Sequence, residues 1–141
     1  MQSEILRPVV VLIAWTLVML VWMVVVRLPA MKKAGIDLGK ARGGRPGGLD
    51  GVLPETAQWP AHNYIHLLEQ PTLFYAVALL LAMVGAGDGV NAMIAWGYVG
   101  LRIVHSIVQA TANIIRFRFV LFALSSLCLI ALTLHAAMAV F

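Results

Sequence analysis

The stretch Trp59-Pro60-Ala61-His62-Asn63-Tyr64-Ile65-His66-Leu67-Leu68-Glu69-Gln70-Pro71-Thr72-Leu73-Phe74-Tyr75 decides how the rest of the chain is read. It opens a segment that then runs without a charge to Gly87, so it has the length of a membrane span, yet it carries two histidines and a carboxylate inside it. An ionised carboxylate in hydrocarbon is costly unless it is paired or faces a polar cavity. Glu69 therefore marks either a functional site or a buried ion pair. On a helix, positions three and four apart share a face, which puts His62, His66 and Glu69 along one side, with Asn63 and Gln70 overlapping it. Pro71 removes a backbone donor and predicts a loosened turn near Leu67.

Working outward, the chain has 141 residues, 62% of them hydrophobic and 11% charged, a composition outside the soluble globular range and within that of an integral membrane protein. An uncharged run over 9–26 is close to the roughly 20 residues that cross about 30 Å of hydrocarbon. It has the look of a signal peptide, but no small-residue cleavage site follows, and Arg27, Lys32 and Lys33 read as a stop-transfer flank. Spans are expected at 8–27, 61–84, 90–114 and 118–141 in a single domain, with a cytoplasmic loop at 28–60. Lysines and arginines crowd the first connection, and Arg116 and Arg118 occupy the third, whereas the second carries only Asp88. The positive-inside rule then predicts that both termini are non-cytoplasmic. The net charge of +4 is a topology signal, and no interleaved basic and aromatic pattern points to nucleic acid.

The third span repeats polar residues at steps of three or four, Arg102, His105, Gln109, Asn113 and Arg116, a stripe that must face other helices or water. At about 1.5 Å of rise per residue, Glu69 and Arg102 fall at compatible depths, so an ion pair between them is expected. Such a pair can fix helix register without chemistry. Arg27, Arg116 and Arg118 surround the same end as the imidazoles. Guanidinium forks there suit a small anion bearing carboxylates. No metal site is expected, because the zinc-protease pattern needs a glutamate directly after the first histidine. The lone Cys128 reads as packing. The loop Gly43-Gly44-Arg45-Pro46-Gly47-Gly48 lacks the Gly-Lys-Ser/Thr ending of a phosphate-binding loop and reads as a flexible connector.

These residues resemble the MAPEG family, the membrane-associated proteins in eicosanoid and glutathione metabolism. The likeness is carried by Val26-Arg27-Leu28 with Lys32-Lys33, by Ala61-His62 with Glu69 and a following proline, by Arg102-Ile103-Val104-His105, and by Arg118 beyond it. The stretch from Asn63 to Tyr75 is similar to a bacterial branch. The resemblance implies an all-α, left-handed, up-down-up-down four-helix bundle in a bacterial inner membrane, assembled as a homotrimer. It further implies glutathione as co-substrate, held by Arg27, His66, Glu69, His105 and Arg118, with Arg118 stabilising the thiolate, Arg102 pairing with Glu69, and lipophilic electrophiles entering from the lipid. Two readings follow. One is a glutathione-dependent transferase or peroxidase; the other is a non-catalytic lipid- or ligand-binding homotrimer of the same fold. Against the family's catalytic members, His66 replaces an asparagine, and Gln109 and Phe122 stand where tyrosines are usual. A third class, a small proton-coupled exporter, would need a glutamate without a cationic partner.

Overall fold

In the computed structural model, which describes residues 3–45 and 47–141, every regular element is helical. The helices are α1 (Leu6–Lys33), α2 (Glu55–Leu67), α3 (Gln70–Met83), α4 (Val90–Ala110) and α5 (Ile115–Val140). α2 and α3 are the two halves of one broken span, so four membrane-scale rods form a four-helix bundle. Three of these segments, Leu6–Lys33, Glu55–Met83 and Ile115–Val140, are long and apolar enough to cross a membrane. α4 is the fourth rod, and its hydropathy is lowered by side chains that it turns inward: Arg102, His105, Ser106 and Gln109 are all buried.

The outer surfaces of α1 and α5 carry Val10, Leu17, Val21 and Val25, and Leu127, Ile130 and Leu134, all exposed. Helices apolar on their outer as well as their inner face belong in lipid. Inside, Ile5 just before α1 and Leu12 and Met19 of α1 meet Phe74 and Leu81 of α3, Tyr98 of α4 and Leu132 of α5. Phe74 and Tyr98 stack with ring centroids 4.4 Å apart at the centre of this core.

Helix ends follow local sequence. Gly35 (φ 75°) stops α1 in a left-handed turn in which Gly35 N–H donates to Lys32 O and Ile36 N–H to Met31 O. Gly85 (φ 75°) does the same for α3, with bonds to Ala82 O and Leu81 O. Both are Schellman motifs, which only a residue tolerant of positive φ can close. Because the stop signal is Gly35, α1 runs past Arg27 and Pro29 to Lys33, several residues beyond the expected end of the first span at 27. Lys32 and Lys33 sit in its last turn, where cations complement the helix dipole. The connection to α2 is correspondingly shorter than 28–60. Pro46 of the glycine-rich loop lies outside the described residues.

The expected loosening at Pro71 is a full break. Pro71 cannot donate to the Leu67 carbonyl, and the chain leaves helical geometry at Glu69 (φ −85°, ψ −99°) before restarting at Gln70. The Glu69 carbonyl, at the start of α3, accepts from Thr72 through its N–H at 3.1 Å and its hydroxyl at 2.7 Å. At the other end of the bundle, Asp88 Oδ1 accepts from Glu4 N–H at 2.6 Å and from Ser3 Oγ at 3.2 Å, fastening the start of α1 to the α3–α4 turn.

Candidate functional site

The basic end of the bundle holds a cleft of about 380 Å³ lined by His66 of α2, His105 of α4, and Ile115, Arg118, Phe119 and Phe122 of α5. Three residues singled out from sequence, His66, His105 and Arg118, thus come from three helices into one cavity. The His66 ring lies between two others, with its centroid 5.0 Å from that of His105 and 5.8 Å from that of Phe122, the latter nearly parallel at 28°. Nδ1 of His66 lies 3.0 Å from Oε2 of Glu69. Glu69 itself is turned to the outer surface, its side chain 63% exposed, because the helix break rotates it out of the α2 register.

That rotation overturns the expected Glu69–Arg102 ion pair. Glu69 bonds to His66, and no Glu69–Arg102 salt bridge forms among the described residues. Arg102 is fully buried instead, with its guanidinium carbon 5.8 Å from the Phe122 ring centroid and 6.0 Å from that of Tyr98. Its Nη2 donates to the His66 carbonyl at 3.4 Å, a carbonyl in the last turn of α2, where a cation also complements the helix dipole. Nε and Nη1 of Arg102 have no protein partner, nor does Nε of Arg118. Buried donors without partners are uncommon in native proteins and each calls for an explanation such as a ligand or water. Two imidazoles and the Arg118 guanidinium line the cavity, with the buried Arg102 cation behind them at the His66 carbonyl, an arrangement suited to an anion.

Arg118 is oriented from the α4–α5 turn. α4 ends at Ala110, so Asn113 and Arg116 do not extend the Arg102–His105–Gln109 stripe as expected from their spacing. Asn113 adopts a left-handed conformation (φ 50°), its N–H reaching back to Val108 O at 2.6 Å, and its Oδ1 accepts from Arg118 Nη1 at 2.6 Å. Arg27, partly buried on α1, does not line the cleft of the single chain. His62 also leaves the expected stripe, lying 3.7 Å from Asp50 in the loop.

Sequence reasoning passed over Asn113 as an orienting residue, although an asparagine in a short connection five positions before an arginine is the signal that could have found it. It also passed over Ser106. This hydroxyl accepts from Trp15 Nε1 at 2.9 Å and from Asn63 Nδ2 at 2.5 Å, joining α1, α2 and α4 directly behind His105. A second polar tie runs from Tyr98 Oη to Gln70 Oε1 at 3.2 Å and from Gln70 Nε2 to Ser126 Oγ at 2.8 Å, which fixes the start of α3 against α4 and α5. Among the described residues no group of three or more histidine, cysteine, aspartate or glutamate side chains is placed to hold a metal ion.

A four-helix membrane bundle with an arginine- and histidine-lined cleft at its basic end is the class that these observations define. The sequence profile of the MAPEG family matches residues 5–138, nearly the whole chain, and the protein belongs to that family. The chain matches no curated protein and no solved structure.

Proposed function

We propose that the protein is a glutathione-dependent transferase or peroxidase acting on lipophilic electrophiles, working as a homotrimer in a bacterial inner membrane with the cleft on the cytoplasmic side and both termini opposite. The observation that carries this reading is the convergence of His66, His105 and Arg118 on one cleft, with an unpartnered guanidinium nitrogen on Arg118 and two more on the buried Arg102 that bonds the His66 carbonyl. Glutathione has two carboxylates, an amine and a thiol. Arginines bind carboxylates through paired donors. A guanidinium beside the thiol favours the thiolate, which is the nucleophile. Arg118, steadied by Asn113, is the residue placed for this, with Arg27 contributing from outside the single-chain cleft. Electrophiles dissolved in the bilayer would reach the sulfur across Phe119 and Phe122.

The test is calorimetry of reduced glutathione with the detergent-purified protein and with Arg118→Ala, alongside the ultraviolet absorbance of a bound thiolate. Binding that depends on Arg118 and carries a thiolate signal supports the enzyme reading. No binding at millimolar glutathione rejects it. A second reading, a lipid- or ligand-binding trimer without turnover, has its own support in an apolar groove of about 650 Å³ between α3 and α5, kept open by Ala76, Ala136 and Ala137. Thr133, the polar residue in that groove, has its hydroxyl occupied by Leu129 O at 2.8 Å, so the groove would select by shape and apolarity alone.

A further inference from the structure

We propose that His66 is a general base for this site, held in the reactive tautomer by Glu69, so that the thiol proton of bound glutathione passes to His66 Nε2 and not to solvent. This rests on the glutathione reading above. Its ground is the 3.0 Å contact between His66 Nδ1 and Glu69 Oε2. An ionised carboxylate only accepts hydrogen bonds, so the contact requires Nδ1 to carry the proton. A neutral ring then has Nε2 as its free acceptor, on the side of the ring away from Glu69, and the His66 side chain lines the cleft.

The arrangement is one of base and orienting carboxylate, in which the carboxylate fixes the tautomer and stabilises the imidazolium without taking the proton itself. Three features keep the ring in place. Phe122 stacks on one side of it, His105 packs at 5.0 Å, and its backbone carbonyl is held by Arg102. The helix break at Pro71 is what allows Glu69 to swing beside His66 and away from Arg102.

The proton balance closes within the site. The S–H bond breaks, its proton bonds to Nε2, and the electron pair stays on sulfur, leaving a thiolate beside Arg118 and an imidazolium beside Glu69. When the thiolate attacks the β-carbon of an activated alkene such as an α,β-unsaturated carbonyl, the carbon–sulfur bond forms and the alkene electron pair moves onto the enolate. The imidazolium then returns its proton to that product, restoring neutral His66, so the net change is addition of S–H across the double bond. The charged or titratable groups around His66 are Glu69 at the helix break, Arg102 and His105 on α4, and Arg118 on α5. Of these, Glu69 is the acid residue, and it is the one in direct contact.

The experiment mixes the detergent-purified trimer or monomer with reduced glutathione near neutral pH in weak buffer. Thiolate absorbance is followed together with a pH-indicator dye. The wild type is expected to form thiolate with little proton release. His66→Asn, which keeps a polar side chain, is expected to release about one proton per thiolate and to form it at least about a hundredfold more slowly. Glu69→Gln preserves the hydrogen bond but removes the charge that stabilises the imidazolium, and should slow thiolate formation about tenfold while glutathione still binds. One proton released per thiolate in the wild type overturns the assignment whatever the variants do. So does an unchanged rate in both variants. Failure of the wild type to bind glutathione rejects the glutathione reading, and the base assignment falls with it, whereas binding with solvent release rejects the base alone.

Discussion

Asn113 separates folding from function in a way that three substitutions can measure. Its side chain has two roles, accepting from Arg118 at 2.6 Å and tolerating a left-handed backbone at φ 50°. A hydrogen bond to a charged group contributes about 1.5–3 kcal/mol when well buried, and the partial exposure of both residues brings the expectation to roughly 1–2 kcal/mol. A residue with a Cβ and no local hydrogen bond costs a further 1–2 kcal/mol, roughly, in the left-handed region. Asn113→Ala loses both and should destabilise by about 2–4 kcal/mol. Asn113→Gly keeps the backbone conformation without strain and loses only the bond, so it should fall roughly 1–2 kcal/mol short of the wild type. Asn113→Asp keeps an acceptor for Arg118 and should stay within about 1 kcal/mol. Thermal unfolding in detergent gives these differences, and glutathione calorimetry gives the second axis. Glycine and alanine should weaken binding alike, by about tenfold or the 1.4 kcal/mol that corresponds to it, because both release Arg118. Wild-type glutathione affinity in Asn113→Gly would refute the claim that Asn113 orients Arg118. Equal unfolding temperatures for Gly and Ala would refute the backbone argument.

Three other outcomes are expected. Ser106→Ala leaves the donors of Trp15 and Asn63 without their shared acceptor and should cost about 2–4 kcal/mol in chemical unfolding, with a change in tryptophan emission from Trp15. Gly87→Ala places a Cβ in collision with Ser3 Oγ and 2.7 Å from Ile5 Cγ2, against the strand of backbone where Ile5 N–H meets Gly87 O, and should destabilise by about 1–3 kcal/mol on thermal melting. Arg102→Met removes a buried cation with two unpartnered nitrogens, so the ligand-free protein should be as stable as the wild type or up to about 2 kcal/mol more stable, while glutathione binding falls at least about tenfold by calorimetry. A large loss of ligand-free stability would instead show that the bond to the His66 carbonyl dominates.

The sequence was most legible where the physics is local. Charge-free runs announced the membrane, and Pro71 marked the weak point of the second span, whereas the glycine at 35 that ends α1 was not read as a stop, so the first span was expected to end at 27. The candidate site was half legible. Spacing put His66, His105 and Arg118 in view because lipid leaves so few places for polar side chains. The Glu69–Arg102 pairing failed because depth along two helices was used as though both were straight, and a break rotates everything beyond it. The Asn113–Arg116 end of the α4 stripe failed for a related reason, since three- and four-residue steps persist in a sequence after the helix that gives them meaning has stopped.

By itself, then, the chain determined its solvent, its all-helical class and its family resemblance, because hydrocarbon imposes length and apolarity on every span regardless of how the spans pack. Only the tertiary structure decided which polar groups meet. It turned Glu69 from a buried ion-pair partner into the companion of His66, left Arg102 as a buried guanidinium under the last turn of α2, and tied Arg118 to Asn113. Those choices depend on rotation about helix axes and on the geometry of a single broken turn, quantities that residue spacing does not carry.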